Sequence, residues 1–307
     1  MPGAALIPRT LAQPVRLTGT GLFTPVPCTV TIHPAPPGSG ITLRRTDLPD
    51  QPLIRADARH VFTPLPEASR DAARHTVLNP APGKAGVHTV EHLLSALWGL
   101  GITDAHADVN GPEVPMLDAS ALPFARALRE AGLSSPVAAD ARSAEPIVIE
   151  EPIELSDGHG PGAPRITAEP SSGPLLELTY RLNYGPAAGP VLAPQQASFT
   201  LNWHSPDADA YMASVAPART FCTQSEANAF RAAGYFAHLG PGDVLIAGPA
   251  GPIETTLRLP HEPAVHKLLD LLGDLALAGR PVFAKVTAYR SGHTLNHRLA
   301  RALMDLR

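Results

Sequence analysis

One pattern occurs twice in this sequence, and this internal repeat restricts the possible folds more than any other feature. Residues 87–97 carry apolar side chains at helical spacing, and residues 265–275 repeat that spacing in outline. Beyond each segment lies a glycine suited to a helix C-terminus, Gly101 and Gly279. A short strand-like run and a second helical stretch then follow in the same order. The repeat predicts two domains of similar build, packed with a pseudo-two-fold relation.

The segments around the repeated helices predict the layers of each domain. The strand-like runs span 105–109 and 282–289, and the closing helical stretches span 123–131 and 295–306. Alternating or β-branched segments precede each repeat, at 15–17, 28–33, 40–44, 147–155, 175–182, 198–203 and 244–247. The predicted fold class is α+β: two similar two-layer α/β sandwich domains, each a mainly antiparallel sheet backed by two helices. A small polar stretch, 137–144, is the predicted linker between domains 1–140 and 141–307.

The bulk properties exclude several classes of protein. The 307 residues are 44% hydrophobic and 17% charged, as in globular chains. A formal net charge of -4 gives no reason to expect a nucleic-acid or anionic-membrane partner. No stretch approaches the length of an integral membrane span, and the proline-broken N-terminus is a poor signal peptide. Because Cys28 and Cys222 are the only cysteines, we expect no disulfide framework and predict a protein of the reducing cytoplasm. We also expect the protein to be a monomer.

The second repeated helix offers a pair of metal ligands. His266 and Asp270 are four residues apart, so on a helix their side chains lie on one face, one turn apart. A histidine and a carboxylate suit zinc, but a catalytic zinc ion normally has three protein ligands and an open position. The pair alone is weak evidence, because solvated ion pairs with this spacing are common on helices.

Two further groups could complete a hydrolytic site. On a helix, Glu91 and His92 point about 100° apart, so Glu91 can act as a base beside a metal-binding His92. After the strand-like run 282–289, Gly292 allows the chain to turn and expose His293, a candidate general acid or oxyanion stabiliser. Each group also has an ordinary interpretation. The first would be a polar pair at the edge of an amphipathic helix, and the second a surface histidine.

Four motifs occur in this chain that are very unlikely to appear together by chance. They are TVEHL at 89–93, ARTF at 218–221, HKLLDLLGDL at 266–275 and SGHTLN at 291–296. TGTGL at 18–22, GPEVP at 111–115 and DASA at 118–121 add to them. The set resembles the UDP-3-O-acyl-N-acetylglucosamine deacetylases, zinc enzymes of lipid A biosynthesis, over nearly the whole chain. The resemblance implies two similar α+β domains with the site between them, and an apolar passage in the second domain for the substrate's acyl chain.

The resemblance also implies a reaction and a role for each matching residue. The reaction is hydrolysis of the acetamide of a small-molecule nucleotide sugar, UDP-3-O-acyl-N-acetylglucosamine, to acetate and the free amine. His92, His266 and Asp270 match the ligands of the Zn2+ cofactor. The other matches are Glu91 for the general base, His293 for the general acid or electrostatic stabiliser, Asp274 for the acidic residue supporting His293, Thr220 for an oxyanion-stabilising hydroxyl and Lys267 for a cation near the substrate. Phe221 is a further predicted substrate contact.

The sequence departs from the family pattern outside the implied zinc set. We therefore expect the chemistry to be intact, whereas the acyl-chain and nucleotide contacts stay open. The departures are Phe23 for the usual His, Asp118-Ala119 for Asp-Gly, Val265 for Arg, Thr223 for a larger apolar residue, and residues 254–258 in place of Asn-x-x-Gly-Leu-Arg.

The acyl passage is predicted along residues 175–201 together with Phe221, where apolar residues alternate with polar or small ones. The simpler alternative is that these apolar side chains form the core face of a sheet. The residues concerned are Leu176, Leu178, Tyr180, Val191 and Leu192.

Two other functions remain open from the sequence. One is a divergent deacetylase that acts on another N-acetylated sugar, with a shorter acyl group or none. The other is a non-catalytic nucleotide-sugar binding protein on the same scaffold. Retention of Glu91, His293 and Thr220 argues against the binding protein, because binding would need the metal ligands but no base.

Overall fold

Each half of the chain builds one larger sheet, in a computed structural model that describes residues 6–62, 74–135, 145–185, 188–240 and 242–306. The elements of the first half, in chain order, are β1 (Thr10–Leu11), β2 (Val15–Thr20), β3 (Pro27–Pro34), β4 (Ile41–Arg45), β5 (Leu53–Arg55), β6 (Val77–Leu78), β7 (Val87–His88), α1 (Glu91–Gly99), β8 (Ala105–Val109), α2 (Leu122–Glu130) and β9 (Leu133–Ser134). Those of the second half are β10 (Ile147–Val148), β11 (Ile153–Ser156), β12 (Arg165–Glu169), β13 (Leu175–Leu182), β14 (Gln195–Asn202), α3 (Ala208–Ser214), β15 (Phe221–Thr223), α4 (Gln224–Ala232), β16 (Leu245–Ala247), α5 (Glu262–Leu275), β17 (Val282–Tyr289) and α6 (His293–Met304).

The two main sheets have the same strand order and the same strand directions. The order is β2-β3-β8-β4-β5 in the first half and β11-β12-β17-β13-β14 in the second. Along each path the third and fourth strands are parallel, and the other neighbours are antiparallel. α1 and α5 precede the central strand of their sheet, and α2 and α6 follow it. The predicted α+β class is confirmed.

Both repeated helices lead into a glycine of left-handed conformation, as the sequence predicts. Gly101 has φ of 73° and Gly279 has φ of 74°. Their N–H groups bond to the carbonyls of Trp98 and Ala276, three residues earlier. A side chain is disfavoured at this φ, so these two glycines end the helices and turn the chain toward β8 and β17.

The structure differs from the sequence prediction at several places in both halves. The strand predicted at 147–155 is two strands, since β10 pairs with β17 whereas β11 pairs with β12. Pro152 lies between them and has no N–H for a continuous ladder. The elements that were not predicted are the strands β1, β5, β6, β7, β9, β12 and β15 and the helices α3 and α4. The linker at 137–144 lies outside the described residues, so the division into domains 1–140 and 141–307 stays a prediction. Within the described residues, no helix combines the length and apolarity needed to cross a membrane.

The helices α1 and α5 pack against each other at the centre of the protein. Every residue of α1 is buried, and in α5 only Lys267 is partly exposed. Gly273 permits the close approach, because a Cβ at this position would overlap the carbonyl oxygen of Glu91. The apolar residues of both helices and of both sheets form one core cluster. The polar residues of α1 and α5 are therefore brought together inside the protein.

Replacing Gly273 with alanine tests this packing, because two effects of the change have opposite signs. Helix propensity alone would stabilise the protein by up to about 1 kcal/mol. The overlap with Glu91 should reverse the sign and lower the free energy of unfolding by at least about 1 kcal/mol, as measured by urea unfolding. Gly173→Ala is the matched control, because nothing lies within 4 Å of its added Cβ. A Gly273→Ala protein more stable than the wild type would contradict the close approach.

Candidate active site

Three predicted metal ligands converge where α1 meets α5. His92, His266 and Asp270 are buried, and one donor atom from each lies within 4.8 Å of the other two. Oδ1 of Asp270 is 3.7 Å from Nε2 of His92 and 3.4 Å from Nε2 of His266. A tetrahedral ion with bonds of about 2.1 Å needs ligand atoms about 3.4 Å apart. The three residues could therefore hold a metal ion.

Both histidines are prepared for metal binding. Nδ1 of His266 lies 3.1 Å from the carbonyl oxygen of Ala218. Since a carbonyl can only accept, Nδ1 carries the proton and Nε2 presents its lone pair to the ligand group. Burial lowers the pKa of His266, and burial together with the charge of His266 lowers the pKa of His92 to about 3. Both rings are therefore neutral near pH 7, the form that binds metals.

A buried ion pair holds the ARTF segment beside α5. Arg219 donates to Glu262, from Nε to Oε1 at 2.9 Å and from Nη2 to Oε2 at 3.2 Å. Glu262 lies in the first turn of α5, so the pair fixes the segment next to His266. The ring of Phe221 stands edge-on to His266, with centroids 6.0 Å apart. Thr220 and Phe221 both line the pocket above the metal-binding group.

Asp270 is kept ionised, with its two oxygens facing different partners. Oδ1 faces the two histidines, whereas Oδ2 accepts a hydrogen bond of 2.7 Å from Nζ of Lys267. Burial alone would raise the pKa of Asp270, but electrostatic interactions with the His266 imidazole and the Lys267 ammonium hold it well below its usual range. Burial alone would lower the pKa of Lys267, but Asp270 raises it. Lys267 lines the pocket, as the resemblance implies, and its ammonium is bonded to a candidate ligand.

Asp274, one turn beyond Asp270 on α5, orients His293. Its Oδ2 accepts from Nδ1 of His293 at 2.8 Å and from Nδ2 of Asn296 at 2.9 Å, and its Oδ1 lies 3.2 Å from Nε2 of His297. Burial alone would lower the pKa of His293, but the Asp274 carboxylate outweighs it and raises the pKa to about 9. His293 is therefore a cation at neutral pH. Its Nε2 is directed toward the metal-binding group, 3.7 Å from Oδ2 of Asp270.

Glu91 is buried at the start of α1, between the metal-binding group and His293. Its Oε2 accepts a hydrogen bond of 3.1 Å from the main-chain N–H of Thr76. Burial, with the charges of Asp270 and Asp274, raises the pKa of Glu91 to about 8, although His293 opposes the shift. A carboxylate with a pKa near the working pH is suited to accept a proton from water.

These polar groups form the floor of a pocket of about 450 Å³. The floor contains Glu91, His92, His266, Asp270 and His293. One wall is apolar and comes from two separate parts of the chain, the loop after β2 and the unit β15-α4-β16. Its residues are Leu22, Phe23, Phe230, Phe236 and Val244.

Comparison with known proteins agrees with this geometry. A sequence model of the UDP-3-O-acyl N-acetylglycosamine deacetylase family matches residues 8–305. The chain belongs to this family. A UDP-3-O-acyl-N-acetylglucosamine deacetylase of Anaeromyxobacter is 35% identical, over 96% of this chain and 88% of that protein. The deacetylase of Synechocystis is 35% identical, over 96% of this chain and 98% of that protein. The deacetylase of Myxococcus xanthus is 34% identical, over 97% of this chain and 86% of that protein. The predicted enzyme class, a metal-dependent deacetylase, is confirmed at the level of the family.

One departure from the deacetylase pattern introduces backbone strain next to the pocket. Ala119, at the usual glycine position, has φ of 62°, in the left-handed region that disfavours a side chain. Its carbonyl oxygen accepts a hydrogen bond of 2.8 Å from the N–H of Thr220. The neighbouring Asp118 accepts from Nη1 of Arg258 at 2.8 Å. The altered segments at 118–119 and 254–258 are therefore in contact and still support Thr220.

The GPEVP motif of the family positions the apolar wall. The buried carboxylate of Glu113 accepts from the N–H groups of Leu22, Phe23 and Thr24 and from the hydroxyl of Thr89, over distances of 2.8 to 3.2 Å. Phe23 stands where the family usually has histidine. Its ring centroid lies 6.2 Å from those of Phe230 and Phe236 in this wall and 6.2 Å from that of Tyr235 behind them. Glu113 thus fixes the loop that carries Phe23 to the pocket.

The region predicted to line the acyl passage reaches the pocket only in part. Phe221 lines the pocket, as do Tyr180, Leu182, Asn183 and Tyr184 from the range 175–201. Leu176 and Leu178, on the buried face of β13, pack in the main core, and Val191 and Leu192 pack in a smaller apolar cluster. The helix α4 supplies Phe230 to the apolar wall, and its capping box of Thr223 and Glu226 could have revealed this helix. Asn296 was recognised only as part of the SGHTLN motif, and Thr76 and His297 were missed. His297 follows His293 by four residues on α6, a spacing that could have revealed it, whereas no such pattern links Thr76 to the site.

Metal analysis of variants tests the ligand group. We expect one metal ion per chain in the wild type and none in His266→Ala, since two remaining ligands are too few for a tight site. Glu91→Ala is the matched control, because Glu91 neighbours the group but is not assigned as a ligand. It should retain the metal and lose at least about 10²-fold in turnover. Full metal content in His266→Ala would contradict the assignment, and nearly full activity in Glu91→Ala would contradict the role of the base.

Proposed function

We propose that this chain is a zinc-dependent deacetylase that hydrolyses UDP-3-O-acyl-N-acetylglucosamine to UDP-3-O-acyl-glucosamine and acetate, an early step of lipid A biosynthesis. The observation that supports it most is one pocket that combines a three-residue metal-binding group, a buried carboxylate and a cationic imidazole. The relatives are named for the same reaction. Two neutral imidazoles and one carboxylate suit zinc, and they leave a fourth position open.

The roles of the side chains follow from their positions. A zinc ion held by His92, His266 and Asp270 would polarise the amide carbonyl and lower the pKa of a water molecule toward about 7. Glu91 accepts the proton of the attacking water as the new C–O bond forms. The His293 cation and the Thr220 hydroxyl stabilise the negative charge on the carbonyl oxygen. The C–N bond then breaks, and the leaving amine takes up a proton. Glu91, which has accepted the proton of the water, and the His293 cation are the two groups that can donate it.

The rest of the pocket suits the other parts of the proposed substrate. The wall that contains Phe23 and Phe230 offers an apolar surface for an acyl chain. Lys267 and Arg290 are cations on the same pocket and suit the phosphates of a nucleotide sugar. The free, buried thiols of Cys28 and Cys222 fit the proposed cytoplasmic location. A monomer stays part of the proposal, to be tested by size-exclusion chromatography.

Acetate release from acylated and unacylated UDP-N-acetylglucosamine tests the proposal. The rate should rise steeply with acyl length up to medium chains, since each buried CH₂ contributes about 0.8 kcal/mol. Phe230→Ala should weaken this preference, whereas Phe283→Ala, on β17 and outside the pocket lining, should leave it unchanged. Equal rates on both substrates would favour a divergent deacetylase without an acyl requirement. Metal-loaded protein that releases no acetate from either substrate would favour a binding protein.

The pH dependence of kcat/KM tests the acid and base roles. Glu91 must be deprotonated and His293 protonated, and their pKa values are raised to about 8 and about 9. Activity should fall on the acid side as Glu91 gains a proton, and on the basic side as His293 loses one. A bound divalent cation favours the deprotonated form of both groups, so both limbs should lie below these values in the metal-loaded enzyme. His293→Gln should remove the basic limb only, and a flat wild-type profile across neutral pH would contradict both roles.

A further inference from the structure

Thr76 forms hydrogen bonds with one site residue from each repeat, Glu91 and Asp274. It lies just before β6 and is fully buried. Its main-chain N–H donates to Oε2 of Glu91 at 3.1 Å, and its hydroxyl donates to Oδ1 of Asp274 at 2.6 Å. Glu91 comes from the first repeat, whereas Asp274 and the histidine that it orients come from the second. One threonine therefore connects the base to the support of the imidazole.

The hydroxyl of Thr76 has one proton and two lone pairs, and all three have partners. The proton points to Asp274, because a carboxylate can only accept. The lone pairs face Nε2 of His297 at 2.8 Å and Nδ1 of His293 at 3.3 Å. Both nitrogens must then carry a proton, and for His293 this is the same proton that bonds to Asp274. The contacts define a single consistent arrangement of protons.

The main chain of Thr76 is fixed relative to α1. The N–H of Val90 donates to the carbonyl oxygen of Thr76 at 3.4 Å. The adjacent β6 pairs with β7, with Val77 opposite His88 and Leu78 opposite Val87. Because β7 leads directly into α1, a displacement of Thr76 would also displace the N–H that bonds to Glu91.

We propose that Thr76 is a positioning residue that holds Glu91 and the Asp274–His293 pair in one relative geometry. The inference rests on the proposed deacetylase function. The hydroxyl acts on His293 through Asp274, and the main chain acts on Glu91 directly. A residue with this role affects the chemical step more than the binding of substrate, since the substrate touches the groups that Thr76 holds and not Thr76 itself.

Two substitutions in the metal-loaded full chain test the role of the hydroxyl. Thr76→Val keeps the shape and removes the hydrogen bonds, whereas Thr76→Ser keeps the hydroxyl. On UDP-3-O-acyl-N-acetylglucosamine we expect Thr76→Val to lose about 10- to 100-fold in kcat, with KM within about twofold of the wild type. Thr76→Ser should stay within about threefold in kcat. Metal content should equal that of the wild type in both variants.

A double-mutant cycle separates positioning from general loss of stability. In an Asp274→Asn background, Thr76→Val should cost far less in kcat than it does in the wild type, because its effect passes through Asp274. Thr10→Val is the matched control. The Thr10 hydroxyl is also buried and accepts a hydrogen bond of 2.9 Å from the N–H of Ala35, away from the pocket. The Thr10→Val variant should have a lower unfolding temperature and an unchanged kcat.

Several outcomes would overturn the inference. Wild-type kcat in Thr76→Val, a rise in KM alone, or full additivity with Asp274→Asn would each show that the hydroxyl does not position His293. If Thr76→Val does not fold, Thr76→Cys replaces it, because a thiol of similar size is a weak donor. Equal kcat in Thr76→Cys and Thr76→Ser would then overturn the inference. A wild type that releases no acetate would instead refute the proposed function, and the inference with it.

Discussion

Desolvation of ionisable side chains between α1 and α5 is the constraint on which the rest of the site depends. An isolated charge in that position costs several kcal/mol, so each group must become neutral or acquire a partner. The imidazoles of the ligand group become neutral, whereas the two aspartates gain cationic partners. Close packing makes these adjustments necessary, and Gly273 permits that packing by leaving space for the carbonyl of Glu91. The groups involved are Glu91, His92, His266, Asp270 and Asp274.

The same burial gives three carboxylates three different chemical properties. Asp270 and Asp274 are ionised because cations contact them, Lys267 in one case and His293 in the other. Glu91 has no contact of that kind among the described residues, and burial therefore raises its pKa. Glu91 can therefore exchange a proton, Asp270 is suited to bind a metal, and Asp274 keeps the imidazole of His293 charged. Environments that separate the pKa values of neighbouring groups are typical of acid–base catalysis.

The sequence could predict the parts of the site that follow helical geometry. His266, Asp270 and Asp274 repeat at intervals of four, and the internal repeat indicated that a matching helix would carry Glu91 and His92. Contacts made by distant segments left no such pattern. Thr76 reaches Asp274 only because β6 pairs with β7, and the apolar wall of the pocket forms where the loop after β2 meets α4. The alternation along β13 was a correct signal for a strand, but it could not show that its apolar face lies in the core.

The two repeats and the segments that interrupt them contribute different parts of the site. The repeated helices α1 and α5 supply the metal-binding group and Glu91, and α6 supplies His293. The apolar residues of these helices belong to the main core. The wall that contains Phe230 and Phe236 belongs to a separate cluster, built on α4 and the loop after β2. A side chain contacts mainly the other members of its own cluster. A change of side-chain volume in this wall should therefore alter the apolar surface of the pocket more than the distances among His92, His266 and Asp270.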